Sequence, residues 1–165
     1  MSAGNQDPAT PAAATRRPGG ARSARRRARE YALQALYGWL LSGGEVPQIA
    51  ARFKQVEEFA QADETYFLEL LTGTIASAVS LRDEFSGAID RRVDELSPVE
   101  HCILLIATYE LAHRPEIPYR VVINEAVELA KGFGSSEGYR YVNGVLDRLA
   151  GRLRSAETAR PAAAR

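Results

Sequence analysis

The chain has 165 residues, 45% of them apolar and 25% charged, which suits one globular domain with a buried core and is short for two. A single cysteine, Cys102, and two histidines, His101 and His113, exclude an internal disulfide, a thiolate cluster and paired histidine ligands at metal spacing. The net charge of zero hides an asymmetry: residues 1–29 carry seven arginines against Asp7, and residues 30–165 carry 14 basic and 20 acidic side chains, so an anionic partner is expected at the basic end.

In chain order, residues 1–21 are low in complexity and have too few large apolar side chains to offset the entropy of ordering, so they are expected as a mobile tail. A first helix is predicted from about Arg22 to Leu41, stopping at Gly43-Gly44, with a short one after Pro47 through Ile49 and Phe53. Asp63 is a good N-cap for a third helix carrying Phe67, Leu70, Leu71, Ile75, Ala78 and Leu81 at helical spacing, yielding near Gly87 to a shorter piece with Ile89 and Val93. "LSPVEHCILLIATYELAH" is the best-punctuated stretch: Ser97 as N-cap, Pro98 at the first helical position and Glu100 two residues later form a capping box. Pro115 ends that helix, another runs from about Pro118 to the stop at Gly134, and the last starts near Ser135 and buries Val142, Val145, Leu146, Leu149 and Leu153. Residues 155–165 return to tail-like composition. Six or seven helices with short connections predict an all-α bundle. No apolar run approaches a membrane span, and the first residues lack the apolar segment of a signal peptide, so a cytoplasmic location is expected.

Catalysis finds little support in these residues. There is no H-E-x-x-H, G-x-S-x-G or P-loop, and the acid pairs Glu57-Glu58 and Asp94-Glu95 are adjacent, pointing to different sides of a helix. Nothing calls for a cofactor or a metal. Cys102, among Val99, Ile103 and Ile106, reads as a small buried hydrophobe. Two clusters do suggest nucleic acid. Arg22, Arg25, Arg26 and Arg29 fall within an arc of roughly 100° on a helix, continued by Leu33, Leu36 and Leu40, so the basic turns prolong the apolar stripe. The turn "KGFGSSEGYRYVNG" sets Lys131 and Arg140 beside Phe133, Tyr139 and Tyr141, the rings and cations that single-stranded RNA uses for stacking and phosphate neutralisation, with one of the two tyrosines expected to pack inward.

"RRRAREYALQALYGW", "LSPVEHCILLIATYEL", "IPYRVVINEAVELAKGFG" and "YRYVNGVLDRL", in that order, cover about residues 24–153. Taken together they resemble the NusB family of bacterial transcription antitermination factors. The resemblance implies an all-helical fold of two three-helix subdomains, about 22–82 and 88–153, without catalysis. It implies pairing with NusE, the small-subunit ribosomal protein that doubles as a transcription factor. It further implies binding of boxA RNA and read-through by RNA polymerase, notably in ribosomal RNA operons. Carried over by position, Arg25, Arg26, Arg27 and Arg29, together with Phe133, Gly134, Glu137, Arg140 and Tyr141, are expected to contact RNA, with Lys131 beside them. Tyr37 and Glu100 are expected to face NusE. Two other readings stay open: a protein-interaction bundle without specific RNA readout, and an RNA-binding module related to the N-terminal domain of an rRNA methyltransferase. Self-association of the free protein also stays open.

Overall fold

The structure, a computed structural model, describes residues 20–159, and all of its regular elements among them are helical. The α-helices are α1 (Gly20–Ser42), α2 (Val46–Lys54), α3 (Glu64–Ala76), α4 (Ala78–Ser86), α5 (Pro98–His113), α6 (Tyr119–Phe133), α7 (Gly138–Leu153) and α8 (Ser155–Thr158). Short 3-10 turns stand at Glu57–Gln61 and Val93–Glu95.

Local chemistry sets most of these boundaries. Asp63 accepts a hydrogen bond from the Tyr66 amide at 3.0 Å, capping α3, and its own amide donates to the Ala24 carbonyl, tying the start of α3 to α1. Gly43 and Gly44 stop α1 with φ of 71° and 113°, backbone angles that only glycine adopts freely. Ser97 Oγ accepts from the Glu100 amide at 3.2 Å, one half of the expected capping box. The Glu100 carboxylate turns instead toward α7, where a Cβ built on Gly138 would sit 3.2 Å from its Oε1.

Helix α5 is the axis of the fold and packs against α1, α3, α4, α6 and α7. Its residues from His101 to Thr108 are all buried, which explains why "CILLIA" shows no polar face: a helix covered all round needs none. On one side α1, α2 and α3 close over an aromatic cluster, with Phe59 edge-on to Tyr31 and Phe67 at centroid distances of 5.2 and 5.0 Å. Each such buried ring contributes roughly 1.5–3 kcal/mol from area alone. On the other side α6 and α7 form an antiparallel pair burying Val122, Ala126 and Leu129 with Val142, Val145, Leu146 and Leu149. The buried side chains form one continuous cluster through both groups.

Three expectations need correction. The predicted third helix breaks at Ser77 (φ −106°, ψ 11°) into α3 and α4, because apolar spacing continues across a change of axis. The piece around Ile89 and Val93 is a turn with a single 3-10 segment, not a helix. Residues 155–159, expected within a tail, are ordered: Glu157 Oε1 accepts from the Tyr119 amide at 2.8 Å, and its Oε2 pairs with Arg154 at 2.8 Å. Arg154 is itself buried and donates to the carbonyls of Leu111, Ile117 and Arg114 at 2.8–3.0 Å, satisfying groups at the end of α5 and the loop after it. The rest of the expected tails, residues 1–19 and 160–165, lies outside the described residues.

Candidate nucleic-acid interface

The basic end of α1 does lie in line with its core stripe, as the spacing predicts, and what meets it there is carboxylate. Arg29 is 3% exposed. Its Nε and Nη2 donate to Glu110 of α5 at 3.0 and 2.8 Å, and the Tyr66 hydroxyl donates to the same carboxylate. Burial opposes the charged guanidinium, but the hydrogen bonds and charge of Glu110 outweigh it and hold the Arg29 pKa above its ordinary value. The expectation that Arg29 contacts RNA is therefore corrected. While those bonds stand, the guanidinium faces the core and no external phosphate can reach it.

Its neighbours are differently placed. Arg26 makes a bidentate pair with Glu125 of α6, Nε to Oε2 and Nη2 to Oε1, both at 3.0 Å. The Arg26 side chain nevertheless keeps 42% of its surface in solvent, against 3% for Glu125. Arg22 is further out, 4.0 Å from the same carboxylate and largely exposed. Arg25 lies half-buried with its guanidinium 4.5 Å from the centre of the Tyr66 ring, an arrangement that orients the charge while leaving its hydrogen-bonding edge unused by the ring. Arg27, on the adjoining face, is also half-buried.

The second cluster surrounds the α6–α7 turn. Phe133 ends α6 with 41% of its surface exposed. Gly134 caps α6 as expected, with extended backbone at φ −93°; a Cβ there would lie 2.7 Å from the Ala130 carbonyl oxygen, a collision with backbone. Lys131 and Arg140 flank the Tyr139 ring at 5.2 and 5.6 Å, and Arg140 Nε donates to the Tyr139 hydroxyl at 3.0 Å. Glu137 pairs with Arg140 at 3.4 Å, both largely exposed. Both tyrosines are half-buried; Tyr141 is the more enclosed, with its hydroxyl shut off from solvent and the Arg91 guanidinium 4.2 Å from its ring centre.

Helices α1 and α6 run alongside each other in the same sense, since Glu125 meets Arg26 and, two turns on, Phe133 meets Leu33 and Tyr37. The eight residues from Glu125 to Phe133 span about 12 Å, so the arginine end of α1 and the aromatic turn share one side of the molecule. Leu33, Gln34, Tyr37, Val99 and Phe133 line a shallow groove of about 270 Å³ there. Tyr37 is 40% exposed, and Glu100 follows Val99 at the groove's edge on α5. The residues expected to face a protein partner thus adjoin those expected to face RNA. Sequence reading passed over Glu110, Glu125, Tyr66 and Arg91. The two glutamates carried a signal: each interrupts an otherwise apolar helix face, between Ile106 and Leu111 in α5 and between Val122 and Leu129 in α6.

Among the described residues no group of three or more acids, histidines or cysteines is placed to hold a metal, and no helix is long and apolar enough to cross a membrane.

Comparison with known proteins agrees with this architecture. The NusB protein of T. maritima has the same fold, with a TM-score of 0.68 and 29% identity over 77% of this chain and 90% of that one. A complex of the antitermination factors NusB and NusE with double-stranded RNA contains a chain that matches with a TM-score of 0.65 and 21% identity, over 75% of this chain and 93% of that one. In sequence, the transcription antitermination protein NusB of Bordetella pertussis is 56% identical over 141 residues, 83% of this chain and 92% of that protein. Its counterpart in Azoarcus sp. is 55% identical over 138 residues, 82% and 88% respectively. The model of the NusB family matches residues 26–151, from the second arginine of the basic run to the last turn of α7, and the chain belongs to that family.

Proposed function

We propose that this chain is a non-catalytic RNA-binding subunit of a transcription antitermination complex. In this reading it pairs with NusE and binds single-stranded boxA-type RNA to promote read-through by RNA polymerase, notably in ribosomal RNA operons. The observation that carries the reading is the shared surface. Exposed Phe133, the Lys131–Tyr139–Arg140 stack and the outer arginines of α1 lie on one side, beside a groove bearing Tyr37.

Each part has a physical role. Arg25, Arg26 and Arg27 neutralise phosphates, and Phe133 offers a ring for a base to stack on, a contact of about 1–3 kcal/mol. Glu137 and Gly134 shape the turn that presents it. Tyr37 and Glu100 receive the protein partner, whose basic character would complement the acidic body of the chain. A half-exposed ring in a shallow groove gives modest affinity alone, so a partner completing the surface is expected to strengthen RNA binding.

Fluorescence anisotropy with a single-stranded boxA RNA, a scrambled strand and a duplex, with and without NusE and at two salt concentrations, tests this. Selective binding of the boxA strand, tightened by NusE and lost in Phe133→Ala, is the expected result. Equal, weak binding to all three RNAs, indifferent to NusE, would refute it.

A further inference from the structure

Among the described residues, Glu125 is the buried acid that touches the outer arginines of α1. It is buried on α6, yet its carboxylate fills the hydrogen-bonding fork of an arginine that is itself half in solvent. That fork takes carboxylate and phosphate with the same two-pronged geometry. We propose that Glu125 is an internal competitor for phosphate: it occupies Arg26 in the free protein, and RNA must displace it, so Glu125 limits the affinity of the interface. This inference rests on the RNA-binding reading above and deepens it.

Two features of the structure support displacement over a permanent bond. The first is the difference between two otherwise similar pairs. Arg29–Glu110 is sealed on both sides, and Tyr66 locks the carboxylate; in Arg26–Glu125 the cation has an open side from which a phosphate can approach. The second is what remains when Arg26 leaves. Arg29 Nη1 and Arg22 Nε each stand 4.0 Å from Glu125, so the buried carboxylate keeps two cations within reach and is not left as an isolated charge.

The test is RNA binding by Glu125→Gln, which keeps the shape and one acceptor but removes the charge. Against a short single-stranded boxA-type RNA it is expected to bind about tenfold more tightly than the parent at low salt. Its plot of log K against log salt is expected to be steeper by up to about 0.7, the value for one further neutralised phosphate on a single strand. In an Arg26→Gln background the same substitution is expected to change nothing, because the competition acts through that fork. Weaker binding by Glu125→Gln would overturn the proposal and make Glu125 a residue that orients Arg26 for RNA. Unchanged binding, or an equal gain in both backgrounds, would overturn it as well. A parent protein that binds no RNA would remove the functional reading itself, and the proposal with it. A second measurement needs no variant: on saturation of the parent with RNA, the Arg26 Nε–H resonance in NMR is expected to move while that of Arg29 stays. A stationary Arg26 resonance beside shifted Phe133 signals would also sink the idea.

Discussion

Replacing Arg29 by methionine isolates the buried ion pair from any part in RNA binding. Methionine fills most of the arginine stem but leaves Glu110, 1% exposed, with the Tyr66 hydroxyl as its main remaining donor. Stranding one charge of a buried pair costs about 3–5 kcal/mol. At roughly 2–4 °C per kcal/mol for a domain of this size, the melting temperature should fall by about 6–20 °C. Removing the acid as well relieves the stranded charge, but Arg29→Met with Glu110→Leu leaves the Tyr66 hydroxyl unpaired at about 1–3 kcal/mol. The triple variant that adds Tyr66→Phe should therefore return to within about 1–2 kcal/mol of the parent. Urea denaturation read by circular dichroism, with the m-value checked for constancy, measures all three steps. If Arg29→Met loses less than about 1 kcal/mol, or if the triple variant is no more stable than the single one, the assignment of Arg29 to the core is wrong.

Other outcomes follow from the same packing. Burial, aided by the Arg82 charge whose Nε donates to His101 Nε2 at 3.0 Å, lowers the His101 pKa to about 4 from 6.5. The unfolded chain then binds more protons between those values, so stability is fully present above about pH 6.5 and is lost as the pH falls toward 4. The loss from this group is up to about 3 kcal/mol, and an NMR titration in which His101 follows the ordinary histidine curve would contradict it. Burial pushes the Cys102 thiol up to about 12, so a thiol reagent should modify it only as fast as the protein opens; rapid labelling of the native state at neutral pH would show otherwise. Gly73→Ala places a methyl inside the space of the Tyr109 ring where α3 meets α5. The overpacking, about 1–3 kcal/mol, should outweigh the gain in helix propensity of about 1 kcal/mol, giving a lower urea midpoint; a higher one would mean that the ring swings away freely.

Much of the architecture is legible in the sequence because its punctuation is chemical. Asp63 and Ser97 cap where their side chains allow, Gly43-Gly44 stops α1, and Pro118 immediately precedes α6. What stayed hidden depends on relations between distant residues. The break at Ser77 lies between Ile75 and Ala78, which keep helical spacing on either side, and no glycine or proline marks it. Helix α8 exists because Glu157 and Arg154 find the loop between α5 and α6, and "SAETA" alone holds no hint of that. For Arg29, spacing correctly assigned the arc of α1 on which it lies. The direction of an arc does not reveal what stands opposite, and a glutamate there turned an expected phosphate contact into an internal one.

The ion pairs that hold α1 in place also join residues made at very different times. Arg26 and Glu125 are 99 positions apart and Arg29 and Glu110 are 81 apart. At synthesis rates of about 5–20 residues per second, the arginine run emerges roughly 5–20 s before Glu125 exists. Until Glu110 is made the most basic part of the described chain has neither of its internal carboxylates, and Arg26 lacks its own for the whole interval. Any polyanion nearby meets the Arg26 guanidinium uncontested, and completion of α6 is the event that first gives it a competitor within its own molecule.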